Sequence, residues 1–153
     1  MKILTFGVFD YFHLGHLRLF KQTKSYADYL IVGVQDDKYV NMFKPDAKLL
    51  YTTDERVEIL QALRDVNEVF VYDILLPEIL ERVDFDILAL GEDHYGERFD
   101  ALTTWCSEHN KKVVRLKRLQ GISSTYLRRS KAENTASVPN SGGEEASNNL
   151  RGI

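Results

Sequence analysis

Residues 2–16 read KILTFGVFDYFHLGH, and the order of patterns within them decides the fold. Residues 2–8 are almost continuously apolar, as in a strand buried on both faces. From Leu14 onward, Leu17 and Phe20 recur at helical spacing. Gly7 lets the backbone leave the strand tightly, so a strand passes into a helix through a short loop. The same alternation continues outward. Residues 29–34 (YLIVGV), 68–72 (EVFVY), 85–90 (FDILAL) and 113–116 (VVRL) are strand-like, and their nearly unbroken apolar runs predict parallel strands buried on both faces. Thr52, Thr53, Asp54 and Glu55 form a capping-box signature ahead of Val57, Leu60 and Leu63. Pro77 suits the first turn of PEILERV, and two further helices are expected over about 98–109 and 123–129. This order predicts an α/β fold: a Rossmann-like open parallel sheet of about five strands, helices on both faces, and a ligand site beyond the strand carboxyl ends.

The chain has 153 residues, 44% hydrophobic and 28% charged, with a net charge of −3. That length supports one domain whose core needs no disulfide or metal staple. Cys106 is the sole cysteine and cannot form an internal disulfide, so a reducing, cytoplasmic setting is expected. MKILTFGVFD runs straight into the first strand without a charged-then-apolar leader, and no apolar run approaches the ~20 residues of a membrane span. Secretion and membrane insertion are not expected. Residues 131–153 contain no aromatic residue and many Ser, Asn, Gly and Glu, the composition of a disordered tail. The chain therefore divides into a core over 1–130 and a tail over 131–153.

The charge is unevenly spread. Residues 111–131 carry eight basic side chains and no acidic one. Such a stripe suits nucleic acid or a small polyphosphate, and is equally compatible with a solvated face. Tyr126 is its only aromatic residue, which argues against nucleic acid.

The chemistry gathers after the first strand. His13 and His16 are three apart, so if the helix has begun by His13 they share one face of its first turn, where free N–H groups and the positive dipole end favour phosphate. Two imidazoles there add donors that reach the same anion. A zinc site is the competing reading, but His94, His109 and Cys106 stand at no close ligand spacing. Simple capping is the other.

GVFDYFHLGH resembles the G-x-F-D-x-x-H-x-G-H signature of the HxGH nucleotidyltransferases, and within them the small cytidylyltransferases typified by the glycerol-3-phosphate enzymes. Three further segments follow in the family's order. Arg118, Gly121, Ile122, Ser123, Ser124 and Thr125 match R-x-x-G-I-S-[ST]-T, in which hydroxyls and N–H groups open a helix beside an arginine fork. Lys44 or Lys48, with Arg56, resembles the family's lysine loop and the arginine of the helix after it; Arg64 matches an arginine before the third strand. Gly91, Glu92, Asp93 and His94 resemble G-D-D-W, with Asp93 on the second acid. Val8 stands where many members have Thr or Cys, Leu119 and Gln120 where Thr-Glu is commoner, and His94 where they have Trp. The likeness covers roughly residues 2–130.

The resemblance implies CMP transfer from CTP to a small alcohol or polyol phosphate, glycerol 3-phosphate by default, with release of pyrophosphate. It implies Mg²⁺ with the triphosphate, no protein metal cage, and a homodimer. His13, His16, Lys44 and Arg118 would be catalytic. Gly7, Val8, Phe9, Asp10, Gly15, Asp93, Gly121, Ile122, Ser123, Ser124 and Thr125 would bind the nucleotide, and Arg56 and Arg64 the acceptor. An alcohol phosphate is nearly a dianion at neutral pH (second pKa about 6), so the reaction needs positioning and charge neutralisation rather than a strong base. The alternatives are an adenylyltransferase acting on a sugar phosphate or similar acceptor, and a non-catalytic nucleotide sensor or interaction module.

Overall fold

The computed structural model describes residues 1–118, together with Leu127, Arg129, Ser130, Ala132 and Glu133. The helix expected over 123–129 and the tail reading fall largely outside the described residues. Five strands, β1 (Lys2–Gly7), β2 (Tyr29–Gln35), β3 (Glu68–Tyr72), β4 (Ile87–Gly91) and β5 (Lys112–Leu116), form one sheet in the order β3-β2-β1-β4-β5. Every pairing is parallel; Thr5, for instance, stands against Val32 on one side and Ala89 on the other. Helices α1 (Leu14–Thr23), α2 (Asp37–Phe43), α3 (Thr53–Gln61), α4 (Pro77–Leu80) and α5 (Glu97–Glu108) connect the strands.

Side-chain alternation divides the core into two layers, one on each face of the sheet. Ile3, Leu30, Val32, Ile87 and Ala89 pack with Phe20 of α1 and Leu60 of α3. Leu4, Phe6, Ile31, Leu88 and Leu90 pack on the other face with Leu80 of α4 and with Leu102 and Cys106 of α5. The three inner strands are buried almost throughout. The strand β3 departs from the sequence expectation: it ends the sheet, with a strand neighbour on one side only among the described residues, and Val71 is 47% exposed.

Two local devices hold the frame. A Cβ on Gly33 would lie 2.5 Å from the Phe6 ring, so the missing side chain lets Phe6 cross β2 and pack edge-on against Phe70 and Tyr72. The predicted capping box opens α3: the Glu55 amide donates to Thr52 Oγ1 and the Thr52 amide to Glu55 Oε2. Helix α2 is an addition to the sequence reading, and α4 stops after one turn. Among the described residues no helix is long and apolar enough to cross a membrane. With strand order 3-2-1-4-5, successive strands are added to one side of β1 up to β3 and to the other side from β4, and the point between β1 and β4 is where such sheets open a crevice for ligands.

Candidate active site

The loop leaving β1 is the centre of that crevice. Phe9 (φ 56°) and Tyr11 (φ 50°) both adopt left-handed backbone, a costly state for aromatic residues that persists only where surroundings enforce it. Phe9 folds its ring back over Gly7, where a Cβ would meet Phe9 Cζ at 2.8 Å. Between them Asp10 is buried at 2% exposure, its carboxylate accepting the amides of Leu50 (2.9 Å) and Tyr51 (3.1 Å). It thereby ties the β1–α1 loop to the segment that follows Lys44.

His13 is the N-cap of α1 rather than a residue of its first turn. Its Nδ1 accepts the Gly15 amide at 3.0 Å, while its own amide donates to His16 Nδ1 at 3.3 Å. Two imidazoles thus make a reciprocal cap of the kind usually built from Ser and Glu. A ring nitrogen that accepts an amide proton carries none, so both histidines bear their proton on Nε2. The rings stack with centroids 3.9 Å apart, and Phe9 and Phe12 pack against His16. Burial, then His13, then Arg118 push the His16 imidazole down to about 3; burial and Arg118 also lower His13. Both are neutral donors at ordinary pH, presented where a helix N-terminus supplies further N–H groups.

Arg118 follows β5 on the other side of the switch point. Gln22 of α1 fixes the strand exit, accepting the Lys117 amide and donating to the Lys117 carbonyl. Arg118 Nε pairs with Asp93 Oδ1 at 3.0 Å, and its amide donates to Glu92 Oε1. These bonds join the exits of β4 and β5 and tie them to the last turn of α1.

The remaining expected residues separate. Lys44 is the exposed C-cap of α2, and Lys48 is exposed in the same loop. Arg56 is completely buried: Nη1 donates to the carbonyls of Val8 and Gln35 at 2.8 Å each, and Nη2 to Thr53 Oγ1 at 3.1 Å. Its guanidinium is a strut joining the β1 and β2 exits, not the open ligand expected for an acceptor phosphate. Arg64 is exposed ahead of β3, near the sheet's amino-terminal edge where Asn67 caps Leu30, so the structure does not bring it to the strand carboxyl ends. Gly121, Ile122, Ser123, Ser124 and Thr125 lie outside the described residues. Among those described, no group of three or more His, Cys, Asp or Glu side chains is placed to hold a metal ion. Asp10 and Asp93 are both already engaged.

Two further features of the crevice carry no signal in the sequence. Arg98 of α5 lies over the rings of Phe99 (5.0 Å) and Phe43 (5.9 Å), linking the end of α2 to the loop after β4. In that loop His94 stacks on Phe99. Neither produces a periodic or motif signal, since both depend on contacts across elements.

A strand-to-helix turn at the switch point of a 3-2-1-4-5 sheet, with two neutral imidazole donors and an arginine nearby, is equipment suited to a nucleotidyltransferase. The chain belongs to the Cytidylyltransferase-like family, whose sequence profile matches residues 4–130. It is 35% identical over 133 residues to a glycerol-3-phosphate cytidylyltransferase of Bacillus spizizenii, covering 86% of this chain and 97% of the relative. An FAD synthase of Thermococcus kodakarensis is 35% identical over 97 residues, covering 62% and 64%. The fold is shared with the crystal structure of the lipopolysaccharide core biosynthesis protein from Thermoplasma volcanium (TM-score 0.67, 22% identity, 78% of this chain and 98% of that one).

Proposed function

We propose that this enzyme transfers CMP from CTP to a small alcohol phosphate, with glycerol 3-phosphate as the first acceptor to test, giving a CDP-alcohol and pyrophosphate. The observation that carries the reading is the His13–His16 reciprocal cap, which fixes two Nε2–H donors at the end of β1 facing the Arg118 charge. The near full-length match to a glycerol-3-phosphate cytidylyltransferase supports CTP and a polyol phosphate over other pairs.

In this reading an acceptor phosphate oxygen attacks the α-phosphorus in line, the α–β bridging bond breaks, and its electron pair leaves on pyrophosphate. His16 and His13 donate to the α-phosphate oxygens as charge builds on them, and neutral donors do so without first surrendering a bound anion. Arg118 and Lys44 neutralise the departing pyrophosphate, and the family resemblance assigns Ser123, Ser124 and Thr125 to the same phosphates. Asp10 holds the two sides of the crevice in register through its bonds to Leu50 and Tyr51. Mg²⁺ bound with the triphosphate would add positive charge beside the phosphates that His13, His16 and Arg118 address.

ATP is the second nucleotide to weigh, because the FAD synthase relative shares the same core segment. Pyrophosphate release with CTP, ATP, GTP and UTP against a panel of alcohol and polyol phosphates tests both readings. CTP with one acceptor should dominate. ATP dominance would move the enzyme to the adenylyl branch, and no release with any pair would favour the nucleotide-sensor reading. The homodimer implied by family resemblance is checked by light scattering.

A further inference from the structure

The loop after β4 is held more rigidly than a solvent-facing turn requires. The Gly91 amide donates to His94 Nδ1 at 3.1 Å, so the His94 proton resides on Nε2. The imidazole lies parallel to the Phe99 ring, 1° between planes and 4.6 Å between centroids. Arg115 Nη1 bonds to the carbonyls of Gly91 and His94 and clamps the loop backbone from β5. His94 is thus fixed in tautomer, tilt and position, yet its Nε2–H has no partner among the described residues.

That free donor has a neighbour. A Cβ on Gly91 would sit 2.9 Å from Asp93 Oδ1 and 3.6 Å from His94 Nε2, so an acceptor and a donor converge over the same backbone point. Asp93 Oδ1 accepts from Arg118 Nε and keeps a lone pair for a second donor. The pair stands at the end of β4, across the switch point from the histidines that would take the phosphates.

We infer that His94 is a specificity-determining residue: its Nε2–H donates to N3 of the nucleobase while Asp93 accepts from the exocyclic N4 amino group. The inference rests on the nucleotide reading proposed above and concerns which base it admits. An adjacent acceptor–donor pair matches the amino–ring nitrogen edge of cytosine. Uracil presents the reverse order, a carbonyl toward the carboxylate and an N–H toward an N–H, and a polar site with its groups left unpaired rejects such a ligand. Phe99 and the Gly91 amide act here as positioning elements that hold the imidazole edge-on.

The test is calorimetric binding of CTP, UTP and 3-deaza-CTP, which lacks only the N3 acceptor, each with Mg²⁺. Wild type should bind CTP about tenfold more tightly than 3-deaza-CTP and favour it over UTP by at least that factor, as expected for one buried hydrogen bond. His94→Phe keeps a ring over Phe99 but has no donor. His94→Asn keeps an acceptor for the Gly91 amide and also lacks the Nε2 donor. Both should bind CTP and 3-deaza-CTP equally. If wild type binds CTP but does not discriminate against 3-deaza-CTP, or if His94→Phe retains the discrimination, the inference is overturned while the CTP reading stands. If wild type binds none of the three, both fall together.

Discussion

Acidification should unfold this protein through His16. The folded state holds that imidazole at about 3, with burial as the main cause, whereas an unfolded histidine titrates near 6.5. Below pH 6.5 the unfolded chain therefore binds a proton that the folded chain refuses, and stability falls as pH falls. The contribution is complete above the unfolded value and is lost across the window from 6.5 down toward 3. Each pH unit inside that window costs up to about 1.4 kcal/mol, so a drop from pH 7.5 to 5.0 removes about 2 kcal/mol through this residue alone. His13 and His94, also lowered by burial, act with the same sign. Urea unfolding at pH 7.5, 6.0 and 5.0 on wild type and His16→Asn isolates the term. Asn retains an acceptor for the His13 amide but does not titrate, and all other groups are common to both proteins. The wild type should lose about 2 kcal/mol more than the variant between pH 7.5 and 5.0. Equal losses would refute the claim that His16 is held neutral by its surroundings.

Three further outcomes follow from the geometry. Asp10→Ala strips the Leu50 and Tyr51 amides of a buried carboxylate and should cost about 3 kcal/mol, at 1.5–3 kcal/mol per charged hydrogen bond, in chemical denaturation. Gly7→Ala drives a methyl into Phe9 at 2.8 Å and should lower stability by about 1–3 kcal/mol in thermal melts, whereas an unchanged Tm would mean that the ring moves freely. Arg56→Met leaves the Val8 and Gln35 carbonyls without their donor and should destabilise by about 2–4 kcal/mol; a loss of acceptor affinity at unchanged stability would instead return Arg56 to a ligand role.

The parts of this account legible in sequence are those written in local pattern. Apolar runs located all five strands, and the Thr52–Glu55 spacing located the start of α3 because a capping box is a property of four consecutive residues. The three-residue spacing of His13 and His16 at a helix start marks them as neighbours, but their reciprocal capping is not legible in sequence, since His13 stands outside the helix and imidazole is an uncommon cap. Helix α2 escaped because its seven residues bury only Val40 and present no periodic face. EVFVY looked like an inner strand because composition does not reveal which strand is last in the sheet. Arg56 was misplaced for a related reason: arginine is almost never fully buried, and the carbonyls that hold it come from Val8 and Gln35, 48 and 21 residues away. Asp10 likewise finds its partners 40 and 41 residues along the chain.

The central claim is that two neutral imidazoles at the end of β1 stabilise the transferring phosphate. Pyrophosphate release from CTP and glycerol 3-phosphate, measured at saturating substrate on wild type and on folded His16→Ala, tests it most directly. Wild type should turn over only with an acceptor present, and the variant should lose a factor of at least about 10² in kcat with little change in KM for CTP. Turnover by His16→Ala within a few-fold of wild type would contradict the account.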